Sequence, residues 1–320
     1  MTQAWIFPGQ GSQIVGMGRD LYDQSPAARA VFDEADDVLG FALSRLCFEG
    51  PEHVLMATEN AQPALLTMST AVLRSLEEAR GMSLPPPAAV AGHSLGEYSA
   101  LVAGGALDFA DAVRLVRQRG ELMAQARDGS MAAVIGLPED DLDQVCREVS
   151  ASLADHPEPV RTIVVANYNA PDQLVISGST LAVEQASILA KIRGAKRVLP
   201  LRVSAAFHSP LMRHAADGMA RAIRSVGVRD LHIPLIANVT AEPLLKADEV
   251  RYEAVAQVVA PVRWIASVQR MVQDGVSAFL ELGPGKALTG LVRRIAPNTR
   301  LINLSTSDDV RAFVLDREAE

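Results

Sequence analysis

The chain is short of several things, and each shortage narrows what it can be. Of its 320 residues only Cys47 and Cys146 are cysteine, and they form no C-x-x-C pair. Neither a disulfide framework nor a zinc site is expected, and a reducing, cytoplasmic setting fits. Positive charge is also scarce: 30 Lys and Arg against 38 Asp and Glu leave a net charge of -8 and a pI near 5.4. That balance argues against a broad nucleic-acid or anionic-membrane surface. No stretch has the roughly eighteen consecutive apolar residues of a membrane span, and the opening residues lack the basic head and apolar core of a signal peptide. The six histidines show no H-x-x-x-H or H-x-H pairing with carboxylates, so no metal is expected. Internal repeats and low-complexity tracts are missing too. What is present is 49% hydrophobic and 21% charged, with a mean hydropathy of +0.14. Such a chain is globular, and it is long enough for one large α/β domain or a large domain with an insert.

The stretch 88–103 organises the rest. An apolar run, Ala88-Ala-Val-Ala91, meets Gly92-His-Ser-Leu-Gly96 and continues into the helix-forming Glu97-Tyr-Ser-Ala-Leu-Val-Ala103. Strand, tight turn and helix in that order make a nucleophile elbow with Ser94 at its apex. Gly92 and Gly96 remove the Cβ atoms that would collide in so sharp a turn. The following helix aims its free N–H groups at negative charge forming beside Ser94, which points to acyl transfer through an acyl-serine.

Elsewhere Ala4 to Phe7 reads as a buried first strand, followed by the glycine-rich loop Pro8-Gly-Gln-Gly-Ser-Gln13. It fails as a dinucleotide fingerprint because Gly16 comes two positions late, and as a P-loop because Met17 stands where lysine is required. Its glycines suit a close approach of backbone N–H groups to a ligand. Residues 18–84 are expected to be mostly helical, with a helix beginning at Gln62-Pro63; Phe109 to Ala126 reads as an amphipathic helix. Three arginines on that helix, Arg114, Arg117 and Arg119, suggest a solvated face. From Met131 the pattern is β-α-β-β-α-β: strands at Met131–Leu137, Ile163–Asn167, Leu174–Ser177 and Arg197–Val203, with helices opening at Pro138 and spanning Thr180–Ile192. That order is the ferredoxin-like unit. Strands are expected again at Leu231–Asn238 and Ala278–Leu282, the latter leading into a βα turn, Gly283-Pro-Gly-Lys286. The fold class is therefore α/β: an α/β-hydrolase-like large subdomain with a parallel sheet over 1–128 and 201–320, and an inserted ferredoxin-like small subdomain over 129–200.

A serine hydroxyl needs a base, and histidine suits that task near neutral pH. Among His53, His93, His156, His208, His214 and His232, His208 is preferred because it follows a strand and precedes Ser-Pro, where a side chain can enter a cleft. No acidic residue between Ser94 and His208 stands out as a triad member. A main-chain carbonyl or an amide is the alternative orienting group.

Phe7-Pro-Gly-Gln-Gly-Ser-Gln13, Gln62-Pro-Ala-Leu65, Gly92-His-Ser-Leu-Gly-Glu97, Arg119-Gly120, Asn167-Tyr-Asn169, Phe207-His-Ser-Pro-Leu-Met212, Pro261-Val262 with Trp264, and Glu281-Leu-Gly-Pro-Gly-Lys286 together resemble the malonyl-CoA:acyl-carrier-protein transacylases. The match runs in register from residue 4 to about 304. The resemblance implies Ser94 as nucleophile, His208 as general base, an oxyanion hole from the main-chain N–H groups of Gln10 and Leu95, and Arg119 pairing with the free carboxylate of malonate. It implies that the carbonyl of Gln257 orients the histidine, which accounts for the missing acid. Gln62, Asn167 and Phe207 are expected to line the substrate site, with Phe207 favouring malonyl over branched acyl groups. The implied partners are malonyl-CoA and a holo acyl carrier protein, with no cofactor, no metal, no nucleic acid and no membrane. Carrier proteins of this system are acidic, so the basic run Lys191, Arg193, Lys196, Arg197 and Arg202 is expected to contribute to docking. The rival readings are a serine esterase or thioesterase, a discrete acyltransferase serving a polyketide synthase or a malonate decarboxylase, and a non-enzymatic protein that kept the fold.

Overall fold

A computed structural model of the protein describes residues 2–80, 85–126, 129–201, 203 and 205–318. In chain order the strands among these are β1 (Gln3–Phe7), β2 (Ala89–Gly92), β3 (Ser130–Ile135), β4 (Ile163–Ala170), β5 (Gln173–Gly178), β6 (Arg197–Pro200), β7 (Leu235–Ile236), β8 (Pro243–Leu244), β9 (Ala278–Leu282) and β10 (Arg300–Leu304). Six of them form the sheet β10-β9-β1-β2-β7-β8, parallel except for the edge pair β7 and β8. Its middle strands β9, β1 and β2 are buried along their whole length, because helices cover both faces, and they are largely apolar, with Gln3 and Glu281 the polar residues. Parallel register sets Phe7 opposite Gly92, so the loop after β1 and the elbow after β2 leave the same end of the sheet side by side. Ligands bind at that end of open α/β sheets.

The chain from β3 to β6 makes a second, antiparallel sheet in the order β4-β5-β3-β6. The helices Glu139–Ser152 and Thr180–Ile192 bury Val145, Val149, Ala186 and Ala190 against it in a separate apolar cluster. β4 bulges at Asn167 and pairs there with the segment before the helix Trp264–Gln273: Tyr168 N–H donates to Val262 O and Val262 N–H to Ala166 O, each at 2.9 Å.

Some boundaries differ from the sequence reading for identifiable reasons. The helix expected to begin at Gln62-Pro63 starts at Thr58, and Pro63 lies inside it. Proline cannot donate to the carbonyl four residues back, and that carbonyl, Glu59 O, instead accepts from Arg117 Nη1 at 3.1 Å. β7 keeps only two residues of the expected Leu231–Asn238. Leu231 and His232 give their N–H groups to Leu245 O and Gly104 O, and Asn238 N–H goes to a side chain, so neither end can pair with a neighbouring strand. β6 stops at Pro200, and Arg202 lies outside the described residues. On the helix Phe109–Ala124, Arg114 pairs with Asp111 and Arg117 with Glu121, while Arg119 is 1% exposed: the solvated face holds two of the three arginines.

Candidate active site

The elbow after β2 is held by contacts that only glycine permits. A Cβ on Gly92 would sit 1.9 Å from the carbonyl carbon of Gly96, and one on Gly96 would sit 2.0 Å from Phe7 O. Ser94 between them has φ 50°, the left-handed region that a non-glycine residue enters only when its surroundings hold it there. Asn238 does so: its Oδ1 accepts from Ser94 N–H at 2.7 Å, while its Nδ2 donates to Gly92 O at 2.7 Å.

Ser94 Oγ lies 2.7 Å from His208 Nε2. His208, itself at φ 57°, faces two carbonyls with Nδ1, Gln257 O at 2.8 Å and Ala260 O at 3.2 Å. Carbonyls only accept, so the ring proton sits on Nδ1 and the Nε2 lone pair faces the serine hydroxyl. Burial, followed by the nearby Arg119 charge, pushes the imidazole down to about 3, against the opposing pull of the two carbonyls. The histidine is therefore neutral near pH 7 and able to take a proton.

Arg119 enters the same space from the helix Phe109–Ala124. Its Nη2 donates to Ser94 Oγ at 3.1 Å and to Gln257 Oε1 at 2.7 Å, its Nη1 donates to Gln62 Oε1 at 2.9 Å, and its guanidinium lies 5.7 Å from the Tyr98 ring centroid. Its Nε has no partner among the described residues. A buried guanidinium aimed past a serine hydroxyl into a cavity suits an anionic substrate group.

That cavity encloses about 720 Å³, and Gln10, Leu95, Asn167 and Phe207 line it together with Ser94 and Arg119. Leu95 stands at the N-cap of the helix Gly96–Ala103. Gln10 lies in the loop whose Gly9 packs on the elbow so closely that a Cβ there would sit 2.4 Å from His93 O. The main-chain N–H groups of Gln10 and Leu95 donate to no acceptor among the described residues. Gln62 is fully buried and holds Arg119 from behind, so it supports the guanidinium and does not form the cavity wall. His93 turns its ring away from Ser94 and places Nε2 2.7 Å from Asn169 Oδ1 on β4. Lys191, Arg193, Lys196 and Arg197 are exposed on the smaller unit, but Arg193 is engaged two-pronged by Glu148 at 2.7 and 2.9 Å. No cluster of three or more His, Cys, Asp or Glu able to hold a metal, and no helix long and apolar enough to cross a membrane, occurs among the described residues.

Sequence reasoning missed the residues beneath the site: Asn238, Glu97, Glu253 and the side chain of Gln257. Glu97 is 1% exposed and Gln257 fully buried. A glutamate in the first turn of an apolar helix was the available signal, since charge so placed requires partners.

Residues 4–299 match the family model described as an acyl transferase domain. The malonyl CoA-acyl carrier protein transacylase of Bacillus subtilis (strain 168) is 46% identical over 308 residues, 95% of this chain and 93% of that protein. The protein of the same name from Staphylococcus aureus (strain MRSA252) is 40% identical over 97% of each chain. Among solved structures, an acyl carrier protein S-malonyltransferase from Vibrio cholerae superposes with a TM-score of 0.91 at 39% identity, over 98% of this chain and 100% of that one. A malonyl-transacylase in complex with a type II polyketide acyl-carrier protein gives 0.92 at 38% identity, over 99% and 100%.

Proposed function

The chain belongs to the acyl transferase domain family, and from that premise we propose that it moves a malonyl group from malonyl-CoA to the phosphopantetheine thiol of an acyl carrier protein in two half-reactions. In the first, Ser94 Oγ attacks the thioester carbonyl while its proton passes to His208 Nε2. The N–H groups of Gln10 and Leu95 receive the oxyanion, a contribution usually worth a hundredfold or more in rate per donor. The tetrahedral adduct collapses, the carbon–sulfur bond breaks, and CoA leaves as a thiol with the proton from His208. In the second half, His208 takes the carrier-protein thiol's proton, the sulfur attacks the malonyl ester, and Ser94 recovers its hydrogen. Arg119 holds the malonyl carboxylate throughout. Once Ser94 Oγ is an ester oxygen, Nη1 and Nη2 each keep one N–H for a two-pronged contact while Gln62 and Gln257 fix the other two.

The observation that carries this reading is the meeting of two groups at one oxygen: His208 Nε2 at 2.7 Å and the buried Arg119 Nη2 at 3.1 Å from Ser94 Oγ. A hydrolase for uncharged esters has no use for a buried cation there. Phe207 narrows the cavity beside the histidine, which favours malonyl over branched acyl groups by about 1–3 kcal/mol per methyl. The chemistry needs no cofactor, takes place in the cytoplasm and supplies fatty-acid synthesis. We read residues 1–128 and 201–320 as the hydrolase-like catalytic unit and 129–200 as a ferredoxin-like insert, a reading supported by the β4-β5-β3-β6 strand order. The insert presents Lys191, Lys196 and Arg197 to the carrier protein, while Arg193 is engaged by Glu148. Reversing Lys191 and Arg197 to glutamate raises KM for carrier protein and leaves KM for malonyl-CoA unchanged; equal effects on both refute the docking site.

Intact-mass measurement after mixing with malonyl-CoA tests the whole reading. A malonyl adduct, lost in Ser94→Ala and transferred on adding holo carrier protein, is expected. Loss of the adduct to water alone indicates an esterase, and no adduct refutes the enzyme reading.

A further inference from the structure

Glu97 is a buried carboxylate surrounded by donors. Its Oε1 accepts from Asn238 N–H at 2.8 Å and from Asn238 Nδ2 at 2.9 Å; its Oε2 accepts from Gln257 Nε2 at 2.5 Å. Each partner passes the constraint on. Asn238 Oδ1 takes the Ser94 N–H, Gln257 Oε1 takes Arg119 Nη2, and Gln257 O takes His208 Nδ1–H. One oxygen of Glu97 thus leads to the serine, and the other to the arginine and the histidine.

Building on the transferase reading above, we propose that Glu97 is the positioning residue that fixes Ser94, His208 and Arg119 in one frame, and that its Oε2 contact sets the acyl-group selectivity by locking the Gln257 amide. The lock comes from donor and acceptor chemistry. With a carboxylate at 97, the Gln257 amide can point only Nε2 toward Glu97, which leaves Oε1 for Arg119. An amide at 97 removes that certainty: its oxygen is claimed by two Asn238 donors, so its NH₂ faces the Gln257 NH₂. Turning Gln257 over relieves that clash only by directing NH₂ at the guanidinium. No arrangement satisfies every group, and a buried unpaired donor is costly to keep.

The neighbouring acid fits the same scheme. Glu253 is buried close to Glu97 and accepts Val239 N–H at 2.9 Å on Oε1. Burial raises both carboxyls, and the nearby Glu253 charge raises Glu97 further, while the contact with Glu97 pulls Glu253 back down. Because the Asn238 and Gln257 groups facing Glu97 are all donors, Glu97 turns acceptor lone pairs to them wherever the proton of the pair rests.

The test compares loading of Ser94 by malonyl-CoA and by acetyl-CoA, as the ratio of kcat/KM, in wild type and Glu97→Gln. Loss of the ordered Arg119 contact falls on malonyl-CoA alone, so the ratio is expected to drop about tenfold or more. Asn238→Ala acts on the serine arm and is expected to slow both acyl-CoAs by the same factor. Combining Glu97→Gln with Gln257→Met is expected to lower the ratio no further than either change alone, since both break one path. If Glu97→Gln does not fold, as judged by circular dichroism, Glu97→Asp is measured for the same fall in the ratio, because the shorter acid withdraws from Gln257. A wild type that loads malonyl while the folded variant keeps its ratio, or loses both substrates equally, overturns this proposal alone. A wild type that forms no ester overturns the transferase reading and this proposal with it.

Discussion

Replacing Asn238 tests the elbow's support in a way that separates hydrogen-bond polarity from size. The side chain makes three bonds, to Ser94 N–H, Gly92 O and the Glu97 carboxylate, at 2.7 to 2.9 Å, inside a region where it is 1% exposed. Two are between neutral groups, at about 1 kcal/mol net each, and one reaches a charged acceptor, at about 1.5–3 kcal/mol. Asn238→Ala should therefore destabilise the protein by about 3–5 kcal/mol, and it also loosens Ser94 from its left-handed conformation. Asn238→Asp looks the gentler change because it keeps the acceptor for Ser94 N–H. It should be the worse one. Its second oxygen replaces Nδ2 against Gly92 O and Glu97, setting acceptor against acceptor and a new buried charge beside an existing one. Thermal melts at pH 8 should rank wild type above Asn238→Ala and Asn238→Asp lowest, with the alanine variant lower in Tm by about 10 °C. Lowering the pH should then raise the aspartate variant relative to the alanine variant, because a protonated carboxyl regains a donor. An aspartate variant as stable as the alanine variant at pH 8 would mean that Asn238 Nδ2 does not face the two acceptors, and the account of the elbow fails.

Three further outcomes follow from the same geometry. Arg119→Lys keeps the charge but cannot bridge Gln62, Gln257 and a carboxylate at once, so kcat/KM for malonyl-CoA should fall about 10- to 100-fold while that for acetyl-CoA stays within about twofold; equal losses refute the carboxylate role. With His208 pushed down to about 3, serine loading should stay flat between pH 8 and 5, where a histidine titrating near 6.5 loses about thirtyfold, and an acid limb near 6.5 refutes the buried, neutral base. The unfolded chain binds that proton below about 6.5 and the folded one does not, so His208 also removes up to about 1.4 kcal/mol of stability per pH unit as pH falls from 6.5 toward 3. Gly92→Ala places a methyl 1.9 Å from the backbone of Gly96, and the variant should be recovered unfolded or with no serine loading; a folded, active protein refutes the tight turn.

The legible parts of this molecule are those where one residue type is forced by local geometry. Gly92 and Gly96 are required by a turn that admits no Cβ, and Ala4–Phe7 and Ala89–Gly92 read as strands because burial on both faces leaves apolar residues there. Ser94 and His208 were separately visible, as an elbow apex and as a histidine entering a cleft from a loop. Their 2.7 Å contact was not, because it joins residues 114 positions apart. Boundaries failed where a long-range acceptor replaced a local one: Pro63 sits inside a helix because Arg117 takes the carbonyl it leaves free, and β7 ends early because Glu97 claims the Asn238 N–H. The frame beneath the site was least legible for the same reason. Glu97, Asn238, Glu253 and Gln257 come from three segments that only the fold brings together, and amide side chains carry no periodic signal. Their sequence trace is a charge in an apolar helix, and a buried charge must be answered by donors. In this chain the answering donors are the groups that hold the serine, the histidine and the arginine, so the one acid of the elbow helix is also well placed to govern what the site accepts.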